Sequence, residues 1–285
     1  MKLIVILLCV LFLAGCTDQL RVEPENSLTF GNITKEKDVE ALVYGVGAGV
    51  RDMVCWNALL QVEKGAYADE ADESRRGARM LELEAGTADL WEAWYQVIMG
   101  AETVLSHVDV VEMPNERRQF YRGQAYFFKA LAYFDLIRRW GDCILQKGGI
   151  NWEPVAKTPW PKVCDFAIEM AEKAAEILPP FDKLTDCNGN TMFSKSTPCQ
   201  GAAYALLAHL CAWKAGGKYF AAEVDRNYDE KELWDMAEKA CTKVIESPLY
   251  DLVATPEEVC ASVLVGNSKE GVYETVMKDY YNEVG

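Results

Sequence analysis

Residues 116–140 constrain this chain most, because apolar side chains nearly encircle a single helical span. Tyr121, Ala125, Phe128, Ala132 and Leu136 form one stripe at helical spacing, flanked by Phe120, Phe127, Leu131 and Phe134. A helix that is apolar on most sides must be buried, so other elements have to surround it. Asn115 suits the N-cap, Pro114 closes the segment before it and Gly141 stops the helix.

The surrounding segments also repeat at helical spacing. Thr34 can cap a helix that carries Val39, Leu42, Val43, Val46, Val50, Met53 and Val54. Span 88–112 places Trp91, Trp94, Ile98, Ala101, Leu105 and Val108 on one face. Span 161–178 starts with Pro161 in its first turn and precedes Pro179-Pro180. Span 198–216 buries Tyr204, Leu207, Leu210 and Cys211, and span 229–247 runs from Asp229 to Ser247-Pro248. Alternating patterns are nearly absent; only 249–253 and 271–276 are candidates for short strands. The expected fold is therefore all-α.

The last two helices have a tetratricopeptide flavour. Ala202-Ala203 permits close helix approach, Ala237-x-x-Ala240-x-x-x-Val244 suits the second helix of a pair, and Tyr250-Asp251-Leu252 follows. Spans 88–112 and 116–140 pair in the same way. No constant 34-residue period holds, so the expectation is stacked helix pairs with insertions.

The first sixteen residues read as an address. Lys2 precedes an apolar run from Leu3 to Ala14, which is shorter than the roughly 20 residues needed to span a membrane. The pattern is a secretory signal, and Leu13-Ala14-Gly15-Cys16 resembles the bacterial lipobox, in which the Cys thiol is acylated. The expected division is a signal over 1–15, a lipidated tether over 16–34 and a helical domain over 35–285. Thr17 after Cys16 departs from the inner-membrane retention signal of enterobacterial lipoproteins, and Asp18 resembles acidic surface-export signals. Outer membrane is the expected address.

Asp and Glu number 44 against 29 Lys and Arg, for a formal charge of −15. That balance excludes nucleic acid as a partner, since phosphate binding needs clustered cations. The ten Cys include no C-x-x-C pair, so zinc and thioredoxin-like chemistry have no support. Cys164, Cys211 and Cys241 sit on apolar stripes as small core residues. Cys187 and Cys199 flank the Asn188-Gly189 turn and are candidates for a bridge.

Several stretches, taken in order, resemble the SusD/RagB family of Bacteroidetes outer-membrane lipoproteins. They begin with the lipobox and tether, then Trp94-Tyr95-x-x-Ile98 and Arg122-Gly123-Gln124-Ala125-Tyr126-Phe127. The fullest match is Tyr133-Phe134-Asp135-Leu136-Ile137-Arg138-Arg139-Trp140-Gly141-Asp142. Ile177-Leu178-Pro179, Ala202 to Leu207 and Val244 to Leu252 follow in family order. Cys143-Ile144 departs from the family's hydrophobic-Pro pair, Thr158-Pro159 stands where an Arg is expected, and Arg122-Gly123 where Arg-Ala is more usual. The family is generally longer, so this chain resembles its amino-terminal portion. The resemblance implies an α-α superhelix and a surface nutrient-binding lipoprotein. Such a protein passes oligosaccharide to a TonB-dependent, SusC-like transporter, with no catalysis and no cofactor.

Among candidate contacts, Asp69, Asp72, Arg75 and Arg76 share a dense polar loop whose carboxylates and guanidiniums suit sugar hydroxyls. The loop lacks EF-hand spacing, and no metal is expected. Trp152 and Trp160 lie in a Gly/Pro-containing loop, where they can stack on sugars or pack on the helices. Trp91, Trp94, Trp140, Trp213 and Trp234 are expected in the core. Gly45-Val46-Gly47-Ala48-Gly49 has no preceding strand and no Lys-Ser/Thr, so close helix packing explains it better than a nucleotide loop. His107 and His209 stand on separate helices and suggest no metal site. A tetratricopeptide-type scaffold for a protein partner, without a small-molecule site, is the competing expectation.

Overall fold

The computed structural model describes residues 31–56, 89–149, 153–263 and 265–275. The chain divides into two units, Met1–Thr34 and Lys35–Gly285. The second unit contains helices α1 (Glu36–Trp56), α2 (Asp89–His107), α3 (Asn115–Trp140), α4 (Trp160–Ile177), α5 (Gln200–Gly216) and α6 (Glu230–Ile245). A short α7 (Pro256–Glu258) runs into a π-helical turn over Val259–Val263. Each of α1 to α6 packs on the next, and α1 and α5 also touch α3. Contact between every second helix is what stacked pairs produce. The described residues are all-α apart from two isolated bridges, Cys143–Thr158 and Thr185–Thr191. The segments 249–253 and 271–275 form no strand, because neither finds an extended neighbour to pair with.

Helix α3 is the buried centre. From Phe120 to Ile137 every residue is buried except Arg122, Tyr126 and Leu131. Its close neighbours need small residues at the crossings. A Cβ on Gly123 would lie 2.8 Å from Leu178, and one on Gly100 would lie 2.8 Å from Val46. Gly47 and Gly49 of α1 face Phe128 and Val97, with 3.5 Å left for a Cβ. Those two distances are ordinary contacts, and Gly45 meets nothing within 4 Å, so only Gly47 and Gly49 of the run lie against a neighbouring helix.

Helix ends follow local chemistry. Asp229 caps α6 by accepting from the Lys231 N–H at 2.8 Å. Pro114, not Asn115, takes the N-cap position of α3, and it makes no side-chain cap bond. Helix α2 ends at His107, short of 112, and the His107 ring lies 2.7 Å from the Thr103 carbonyl in the last turn. Gly141 has φ +69°, which turns the chain sharply after α3. Asp142 then accepts the Trp160 N–H at 2.9 Å and so holds the start of α4.

The loop between α3 and α4 is well braced despite its departures from the family pattern. Tyr95 accepts the Ile144 N–H and donates to the Ile144 carbonyl, both at 2.8 Å. Tyr133 accepts the Gln146 N–H at 2.9 Å. Burial pushes both phenols above their ordinary pKa, so they remain donors at neutral pH.

Two core assignments are corrected. Cys164 and Cys211 are buried, but Cys241 is exposed, because the buried face of α6 is confined to Leu233, Ala237 and Ala240 and Cys241 falls at its edge. Trp94 is buried, whereas Trp213 and Trp234 are 37% and 49% exposed. The Trp213 ring packs edge-on against Phe134 of α3, and the Trp234 ring reaches Gly216 at the end of α5. Cys187 and Cys199 are both free thiols. Cys199 is buried with its sulfur 3.3 Å from the Tyr250 hydroxyl, while Cys187 stays at the Glu40 carboxylate.

Candidate functional site

Polar clusters tie the helices together, and three of them, with a cleft beside the third, bear on the site. The first cluster centres on Arg117 of α3. It donates to Glu36 at 2.6 Å and to the Thr185 carbonyl at 2.8 Å, while Glu40 accepts the Cys187 N–H at 2.8 Å. Tyr121 donates to Glu36 at 2.9 Å. The arrangement pins α1, α3 and the Thr185–Thr191 turn, and its hydrogen-bonding groups are occupied by one another. Glu40 also pushes the Cys187 thiol up to about 11, which keeps it protonated.

The second cluster lies at Asp135. Trp94 Nε1 donates to it at 2.8 Å, Arg138 at 2.8 Å and Arg139 at 2.6 Å. Burial works to raise its pKa, but the two guanidiniums outweigh burial and hold it below the ordinary value.

The third cluster forms a wall of the cleft. Lys195 is buried, and its ammonium binds the carbonyls of Ser268 and Gly271. Its own carbonyl accepts the Glu274 N–H at 3.1 Å. Burial lowers the Lys195 pKa. These bonds stitch 194–198 to 267–275 and set Tyr273 against Phe127, with ring centroids 4.9 Å apart.

The cleft has a volume of about 380 Å³. Helix α1 contributes Tyr44, Gly47 and Arg51, α3 contributes Gln124 and Phe128, and the stitched segments contribute Thr197 and Glu274. Tyr44 is 48% exposed. Its pKa is raised, first by burial and then by the charge of Glu40, so the phenol is neutral. Arg51 and Glu274 give the lining both signs of charge. Cleft volumes of about 300–1,000 Å³ with few polar groups on apolar walls are typical of small-ligand sites.

Of the sequence candidates only Trp160 is among the described residues, and it does not line this cleft. Asp69, Asp72, Arg75, Arg76, Trp152 and Cys16 lie outside the described residues. Trp160 is described, and it is buried at the start of α4 with its ring 3.3 Å from where a Cβ on Gly217 would sit. The cleft residues Tyr44, Gln124, Thr197 and Tyr273 went unnoticed in the sequence. Gln124 alone left a trace there, as a polar residue inside an apolar stripe. Among the described residues no cluster of three or more His, Cys, Asp or Glu could hold a metal ion, and no helix is long and apolar enough to cross a membrane.

Comparison with known proteins defines the class. Residues 61–211 match the SusD-like family model described as starch-binding and associating with the outer membrane. The match covers more than half of the chain, and the chain belongs to this SusD-like family. SusD-like protein P2 of Formosa agariphila is 25% identical over 220 residues, spanning 72% of this chain and 41% of that protein. Solved structures share the fold at lower identity. A SusD-like protein of Bacteroides fragilis matches with TM-score 0.61 and 19% identity, over 86% of this chain and 45% of the other. A crystal structure with a xylogluco-oligosaccharide matches at 0.66 and 16%, over 82% and 45%. A laminarin-binding SusD-like protein matches at 0.64 and 16%, over 84% and 51%. The chain thus spans about half the length of these relatives, or less.

Proposed function

We propose that this chain is the helical portion of a surface nutrient-binding lipoprotein that captures oligosaccharide and delivers it to a TonB-dependent transporter. Membership of the SusD-like family carries this reading. It is supported by the shared fold of one relative solved with a xylogluco-oligosaccharide and another named for laminarin binding. The anchor is a lipid on Cys16 after removal of residues 1–15, with 16–34 as the tether, and the address is the outer membrane. Recognition combines stacking on aromatic rings with hydrogen bonds from polar side chains. Asp69, Asp72, Arg75, Arg76 and Trp152 are proposed to add contacts from their loops. The protein binds and does not catalyse.

The test is expression of the full chain in a bacterial host fed an alkyne-bearing fatty acid. The reading expects a labelled, membrane-bound protein that Cys16→Ala releases unlabelled, and a co-purifying barrel transporter. Unlabelled wild-type protein recovered without a transporter would contradict it.

One observation favours a second reading, a protein-binding scaffold. Tyr219, Phe220 and Val224 are all more than three-quarters exposed within six residues of chain, and exposed apolar groups of this kind often meet another protein. Binding of a transporter without saturable binding of any glycan would favour the scaffold.

A further inference from the structure

Gln124 is a largely buried side chain whose amide bonds to no other residue and is open to the cleft it lines. It projects from the central helix α3, is only 3% exposed, and makes no hydrogen bond to another residue. Polar groups on otherwise apolar cleft walls are what orients a bound ligand. Gln124 borders the cleft, so its free donors and acceptor can be satisfied there. Thr197 repeats the pattern: it is 7% exposed, lines the same cleft, and its hydroxyl has no partner among the described residues.

The remaining surfaces narrow the chemistry of that occupant. Tyr44 offers a half-exposed ring at the cleft, and Phe128 an apolar wall. Gly47 leaves space open, since a side chain there would meet the Phe128 ring at 3.5 Å. Ser194 and Ser196, whose hydroxyls lie 2.8 Å apart, add small polar groups. Arg51 and Glu274 carry opposite charges, so the lining selects neither an anion nor a cation. A carboxamide, hydroxyls and one aromatic face suit a neutral ring bearing several hydroxyl groups.

We infer that the α1–α3 cleft is a binding site for one neutral pyranose unit, with Gln124 and Thr197 bonding its hydroxyls and Tyr44 stacking on its face. The site rests on the reading of the protein as a glycan binder and adds a place and a chemistry to it. The amide makes no bond to the protein, so it adds little to the stability of the free chain. Its removal should therefore cost affinity and leave stability nearly unchanged.

Isothermal titration of the full chain with maltohexaose, laminarihexaose and a xyloglucan heptasaccharide tests the site, alongside thermal melts without ligand. The expected result is saturable binding of at least one probe. Gln124→Leu should weaken it at least tenfold while leaving the melting temperature nearly unchanged. Tyr44→Ala and Thr197→Val should weaken it about fivefold or more, and Phe220→Ala should have no effect. A wild-type chain that binds a probe with undiminished affinity in the Gln124 and Tyr44 variants overturns the site and leaves the glycan reading standing. Loss on Phe220→Ala alone does the same and moves the site to that surface. No binding of any probe by the wild-type chain overturns both. A Gln124→Leu protein that melts well below wild type overturns the proposal that the amide is unpaired, and Tyr44→Ala then decides whether the cleft binds at all.

Discussion

Lys129 of α3 and Glu102 of α2 form an ion pair inside the protein, with side chains only 3% and 7% exposed. The Lys129 ammonium also lies 5.0 Å from the centre of the Phe166 ring on α4. One cation thus contacts two neighbouring helices from the centre of the stack. Removing one partner strands the other charge in a low-dielectric interior. Lys129→Met should cost about 3–5 kcal/mol of unfolding free energy. Lys129→Met combined with Glu102→Leu should recover most of that loss, because an apolar pair leaves no charge behind. Urea denaturation of the three variants measures both, and an additive double variant would contradict the account.

Asp135 predicts a pH dependence. Its folded pKa lies below the ordinary carboxylate value, so the unfolded chain takes up the proton more readily. The stability it contributes is therefore complete above its unfolded pKa of about 3.9 and lost as pH falls through the folded pKa. Asp135→Asn should lower stability at neutral pH and flatten the decline below about pH 5. Parallel acid limbs for wild type and variant in a series of melts would refute the assignment.

Gly123 tests the packing of α3 on the end of α4. Alanine favours a helix over glycine by about 1 kcal/mol. A Cβ at 123, however, would sit 2.8 Å from Leu178 and 3.1 Å from Ile177, both at a tight crossing. Overpacking costs about 1–3 kcal/mol. Gly123→Ala should therefore destabilise the wild-type chain by about 1 kcal/mol, and should become stabilising in a Leu178→Ala background. Chemical denaturation of the four members of the cycle gives the coupling.

The cysteines predict a labelling order. Cys241 and Cys260 are exposed and should react first with a maleimide, while Cys143, Cys164, Cys199 and Cys211 should wait for unfolding. Cys187 is partly exposed but should lag behind Cys241 and Cys260, because its thiolate fraction is small with a pKa of about 11. Peptide mapping after brief labelling reads the order, and a Cys187–Cys199 disulfide in the unreduced protein would contradict it.

Much of the fold was legible because helical spacing records burial directly. The ring of apolar residues on 116–140 announced the central helix, and Asp229, Pro161 and Gly141 marked helix ends by local chemistry alone. The spacing could not show how far each helix face is covered. Cys241 and Trp234 share a stripe with buried residues, yet among the described residues α6 packs chiefly on α5. The cleft was harder to foresee. It joins Tyr44, Gln124, Thr197 and Tyr273 from four separate segments, and Lys195 assembles one wall by gripping carbonyls that no side-chain pattern reveals. Gln124 in an apolar stripe was the one visible signal, and it reads equally as a surface residue until the surrounding helices are in place.

Affinity electrophoresis of the full chain through gels containing starch, xyloglucan or laminarin tests the central claim most directly. A glycan-binding protein should be retarded in at least one of these gels relative to a plain gel, in proportion to polysaccharide concentration. Unchanged mobility in all three would contradict the account of this chain as a nutrient-binding protein.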